Sequence, residues 1–97
     1  MARFDVHSHD GSGYLLDCQA DVLSNFETRF VVPLLPAEGA RHATRLHPLF
    51  EIEGRAFVMV THLAAAIPVR DLGQRIMSLR DEHDRIMNAL DMLLTGY

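Results

Sequence analysis

No lysine occurs in the 97 residues, so all nine basic side chains are arginines, set against thirteen acidic ones for a formal charge of −4. A protein that gains affinity by neutralising phosphates usually carries a basic stripe. None is visible here, which argues against direct non-specific nucleic-acid binding. Cys18 is the only cysteine, and this excludes an intrachain disulfide and a cysteine-rich zinc site. The start, Met1-Ala2-Arg3-Phe4-Asp5, lacks a signal-peptide pattern. No apolar run approaches the ~20 residues that span a bilayer. A cytoplasmic protein with no membrane contact is expected. Internal repeats and low-complexity segments are missing as well.

What is present suits one domain over residues 1–97, since a chain of this length closes a single core. The apolar fraction of 48% is that of a folded protein rather than a disordered one. Phe4-Asp5-Val6-His7 alternates as a half-buried strand does, Asp10-Gly11-Ser12-Gly13 supplies a turn, and Tyr14 to Cys18 returns. Arg29 to Leu35 is a continuous apolar run typical of a strand covered on both faces. Pro33 lacks an amide hydrogen, which places that strand at an edge or bends it there. Residues 37–43 read as a loop. Pro48 to Ile52 and Arg55 to Val60 form a second hairpin about Glu53-Gly54, with Gly54 left-handed. Ile67-Pro68-Val69 reads as extended.

The spacing then predicts a helix from Ser78 to Leu94, with Ser78-Leu79-Arg80-Asp81 as its capping box. Leu79, Ile86, Leu90, Leu93 and Leu94 form its apolar stripe, and Gly96 its left-handed cap. Only Thr95, Gly96 and Tyr97 follow in this chain, so the final turn either folds back or is offered to a partner. Strands first and one helix last imply an antiparallel, barrel-like α+β domain.

Six histidines raise the question of a metal, but their spacing matches no ligand pattern: His7 and His9 share a strand face, while His42, His47, His62 and His83 are scattered. No cofactor is expected. A ribonuclease would need an acid, a base and a cation, for which Asp17, Asp21, Arg29 and His62 are candidates. Nothing in their spacing joins them, and the protein is not expected to be an enzyme. Cys18, Met59, Met77 and Met87 read as core filler, while Met92 sits near the exposed end.

Phe30-Val31-Val32-Pro33-Leu34, Leu46-His47-Pro48-Leu49-Phe50, Met59-Val60-Thr61 with Ala64 to Pro68, and Ile86 to Asp91 follow one another in an order that resembles the CcdB toxin family from Phe4 to Tyr97. That resemblance implies an SH3-like β-barrel with a C-terminal helix, related to the MazF-type ribonuclease toxins, and a homodimer. It further implies a toxin that binds the gyrase A subunit and traps gyrase on cleaved DNA without catalysis of its own. The expected partners are gyrase A and a CcdA-like antitoxin, with operator DNA reached only through the antitoxin in autoregulation. Carried over by position, the gyrase-binding residues are Val22, Leu23, Asp91, Leu94, Thr95, Gly96 and Tyr97. The gyrase poison resembled most closely ends in Phe-Trp-Gly-Ile with an Asn where Asp91 stands; here the order is Leu94-Thr95-Gly96-Tyr97. A protein that binds the antitoxin without poisoning gyrase is the alternative.

Overall fold

The computed structural model describes residues 2–11, 13–37 and 43–96. Its first hairpin joins β1 (Asp5–Ser8) to β2 (Tyr14–Asp17), with Val6 opposite Leu16 and Ser8 opposite Tyr14. The second joins β4 (Leu49–Ile52) to β5 (Arg55–Met59) through a two-residue turn. Both turn residues are left-handed, Glu53 at φ 52° and Gly54 at φ 81°, the backbone that matches strand twist in a tight hairpin. The Tyr14 hydroxyl donates to Glu53 Oε1 at 2.7 Å, tying the two hairpins; that bond raises the phenol pKa above its ordinary 10.0.

Between the hairpins runs β3 (Thr28–Pro36), the organising strand of a curled half-barrel that also takes in β6 (Ala65–Pro68) and β7 (Arg75–Ser78), ordered β4-β5-β3-β2-β1-β7 with β6 also on β3. One edge of β3 takes β2. The other takes β6 (Ala65–Pro68) along Thr28–Val31 and then β5 along Leu34–Pro36. The strand is therefore central, which removes the edge position, one of the two alternatives that Pro33 had left open beside a bend. Pro33 O accepts Val60 N at 2.9 Å, so its ring nitrogen also faces the β5/β6 side, in the gap where one partner strand gives way to the other. No ladder donor is lost there.

From β6 the chain crosses to the far flank through a 3-10 turn (Val69–Asp71) and adds β7 (Arg75–Ser78) beside β1. Ile76 is bulged out of that pairing, since Val6 faces Met77 and His7 faces Arg75. The crossing is close. A Cβ on Gly73 would collide with Ser8 Oγ and stand 2.5 Å from Ser8 O, to which Gly73 N is already bonded. Gly73→Ala is expected to cost about 1–3 kcal/mol by forcing backbone apart. Urea unfolding checks it; an unchanged midpoint would mean the crossing is loose.

The helix α1 spans His83–Thr95. It begins later than expected because Ser78 ends β7 and Arg80–Glu82 form a 3-10 turn. Ser78 Oγ accepts Arg80 N in a local turn and caps no helix. Ile86, Ala89 and Leu90 are buried on Phe4, Val6, Leu16, Val32, Leu34, Phe50, Ile52, Phe57 and Met59. Arg85 clamps the helix to β4, its Nη2 on Leu49 O and its guanidinium 4.5 Å from the Phe50 ring centre. Leu79 is buried but precedes the helix, and Leu93 and Leu94 are exposed, so the expected stripe is only partly the packing face. Gly96 closes the helix at φ 81° with its amide on Met92 O, as expected.

Met59 is in the core and Met77 and Met87 pack against it, whereas Met92 is exposed. Cys18 is 6% exposed within the core, and burial pushes its thiol up to about 12. The unfolded thiol ionises from pH 9, so the unfolded state gains stability as pH rises. The thiol is predicted to take about 1.4 kcal/mol per pH unit from folding stability between pH 9 and 12, a contribution removed by Cys18→Ala. Equilibrium unfolding of both proteins across that range measures it.

Candidate functional site

The last turn of α1 extends its apolar side chains beyond what the sheet covers. Successive helical residues point about 100° apart, so Met92, Leu93 and Leu94 face three directions. The first two are 36% exposed and Leu94 is 77% exposed. Asp91, Thr95 and Gly96 are exposed with them. Thr95 Oγ1 donates back to Asp91 O at 2.6 Å, so its hydroxyl is turned onto its own helix. Tyr97 lies outside the described residues, as do His42 and most of the expected 37–43 loop.

Val22 and Leu23 lie in a 3-10 turn (Asp21–Leu23) after β2. Val22 is 85% exposed and Leu23 39%. The turn is held by short polar contacts instead of burial. Gln19 Nε2 donates to Leu23 O while Gln19 Oε1 accepts Phe30 N, each at 2.9 Å. Arg3 links the turn to the helix: its amide donates to Asp21 Oδ1 at 2.8 Å and its Nη2 reaches Met87 Sδ at 3.1 Å. Asp91 and Leu94 stand four and seven residues after Met87, hence on the same line of the helix. Val22 and Leu23 thus lie in the turn that Arg3 joins to the helix at Met87, and Asp91 and Leu94 lie further along that helix. Sequence reasoning missed Phe26 and Phe30, both exposed beside this turn. The available signal was Phe26 alone within the polar stretch Ser24-Asn25-Phe26-Glu27-Thr28.

The four residues weighed for ribonuclease chemistry do not converge. Two of them meet, contrary to expectation: Arg29 Nε donates to Asp17 Oδ2 at 2.9 Å and Nη2 lies 2.7 Å from the same oxygen, both side chains fully buried. Asp17 ends β2, Arg29 is the second residue of β3 and both lie on one sheet face, a proximity that strand pairing alone makes legible. Arg29 Nη1 has no hydrogen-bond partner among the described residues. Asp21 and His62 are exposed elsewhere, and His62 Nδ1 shares a proton contact with His47 Nε2 at 3.0 Å. A pair sealed from solvent cannot reach a substrate. His7 and His9 do not share a strand face, because β1 ends at Ser8; His7 is buried with its Nδ1 3.1 Å from Gly73 O, and His9 is exposed. Among the described residues no three of His, Cys, Asp and Glu are grouped to hold a metal, and no helix is long and apolar enough to cross a membrane.

A curled antiparallel sheet capped by one helix is a fold shared with solved toxin structures. One, described as an endoribonuclease in complex with its cognate antitoxin from a mycobacterial species, is similar at TM-score 0.78 and 15% identity, over 97% of this chain and 94% of that one. Another, the Mycobacterium tuberculosis toxin MazF-mt6, is similar at TM-score 0.73 and 16% identity, over 93% of each chain. At those identities the likeness is one of fold. Sequence gives the family: the model described as CcdB protein matches residues 3–96, and the chain belongs to the CcdB family.

Proposed function

We propose that this protein is the toxin of a toxin–antitoxin pair, acting in the cytoplasm by binding the gyrase A subunit and trapping gyrase on cleaved DNA. The single observation that supports the reading is the exposure of the apolar side chains Val22, Leu23 and Leu94 on a chain of the CcdB family. Action is by occupancy and not by catalysis, in keeping with the burial of Asp17 and Arg29. Leu94 supplies the central anchor, with Asp91 at its polar rim. The last turn is apolar on more than one side, so Met92 and Leu93 serve a homodimer contact while Leu94 faces gyrase. An antitoxin segment neutralises the toxin by covering the same side chains, and the resulting complex represses its own operon.

Expression without the antitoxin tests the reading. Growth arrest with accumulation of gyrase-linked DNA breaks is the expected result, and unimpeded growth at high expression would defeat it. One feature favours a second reading, a protein that binds the antitoxin and spares gyrase. Thr95 has neither the area of an indole nor a free hydroxyl, and loss of a buried aromatic anchor costs ~2–4 kcal/mol of affinity. In that case antitoxin binds tightly while gyrase A does not.

A further inference from the structure

An open depression of about 490 Å³ lies at the start of α1, lined by Arg3, Asp5, Asp21, Arg75, Arg80 and His83 among others. Its two acids are already engaged. Asp5 Oδ2 accepts Ala2 N at 3.0 Å and Oδ1 meets Arg75 Nε at 3.1 Å, while Asp21 Oδ1 accepts Arg3 N. The three arginines are not used up. Arg75 commits its Nε and keeps its two terminal nitrogens. Arg80 uses only its backbone amide, on Ser78 Oγ, and its guanidinium has no hydrogen bond or ion pair among the described residues. Arg3 lies with its guanidinium carbon 4.7 Å from the Phe4 ring centre and its Nη2 on Met87 Sδ, its Nε is shut from solvent without an acceptor among the described residues, and its Nη1 remains.

Three guanidiniums against two carboxylates leave this lining positive on a chain whose net charge is −4. We infer that the depression binds the phosphate group of a small phosphomonoester. Guanidinium forks recognise tetrahedral oxyanions through paired N–H donors, which the guanidinium of Arg80 and the terminal nitrogens of Arg75 supply here. The space falls in the range of small-molecule sites and exceeds what bare phosphate fills, and the half-exposed His83 ring, 5.6 Å from Phe4, flanks the remainder. Arg3 and Asp21 border both this depression and the Val22 turn, whereas Arg75, Arg80 and His83 belong to the depression alone, so the Arg80 variant tests it separately from the docking surface.

Titration calorimetry with inorganic phosphate, adenosine 5′-monophosphate and adenosine tests it on the intact protein. Phosphate and the monophosphate are expected to bind, the monophosphate more tightly, with affinity falling as salt rises. Adenosine is expected not to bind. Arg80→Gln weakens the monophosphate roughly 10- to 100-fold with no change in thermal midpoint, as loss of a charged hydrogen-bond donor requires. Asp21→Asn keeps the acceptor for Arg3 N and removes a like charge, so binding tightens several-fold. Binding of adenosine as tight as the monophosphate, no heat from either anion at millimolar concentration, or an Arg80→Gln protein that binds like wild type would each overturn the inference.

Discussion

Asp17→Ala is expected to lower folding stability by about 3–5 kcal/mol, because it strands the Arg29 guanidinium in a fully buried position with no carboxylate. Removing the acid also deprives Gln19 N of its acceptor, Asp17 Oδ1 at 3.1 Å, and so loosens the residue that positions Leu23 and Phe30. Replacing both charges, Asp17→Leu with Arg29→Met, should recover much of the loss, since hydrophobic residues of similar volume can substitute for a buried pair without the desolvation penalty. Chemical denaturation of the two single variants and the double variant measures the coupling. If Asp17→Ala costs under about 1 kcal/mol, solvent reaches the pair and the burial is wrong.

The second large effect concerns binding. Leu94→Asp and Val22→Asp place a charge where an apolar side chain is offered, and each should weaken binding to a gyrase A fragment by at least ~2 kcal/mol, roughly 30-fold. Val22 and Leu94 are 85% and 77% exposed, so unfolding midpoints should stay within about 0.5 kcal/mol of wild type. That separation of affinity from stability distinguishes a docking residue from a structural one. Leu90→Asp should behave in the opposite way, since Leu90 is buried in the core and its replacement damages the fold itself.

The hairpins were legible because their signals are local: alternation in Phe4 to His7, and a Glu53-Gly54 pair between apolar runs. Pro33 left an edge position open because the missing amide says which backbone edge is free, and only the β5-to-β6 handover shows that a central strand has such a gap. β7 was given no element, and its last residue, Ser78, was taken into the expected helix. Arg75-Ile76-Met77-Ser78 is too short and too irregular, with Ile76 bulged, to show a period of two, while the acidic cluster at Asp81, Glu82 and Asp84 imitates a helix start at Ser78. The exposed end of the helix was readable from its apolar excess. Arg3 as the link between the Val22 turn and Met87 was not, because that contact spans 84 residues of sequence.

The most direct test of the account is DNA cleavage by gyrase from the source organism, with purified protein and supercoiled DNA, trapped by detergent and protease. Linear DNA should accumulate with wild-type protein and fail to do so with Leu94→Asp. Intact DNA at saturating wild-type protein, or equal cleavage with the two proteins, would contradict the claim that this surface acts by holding gyrase.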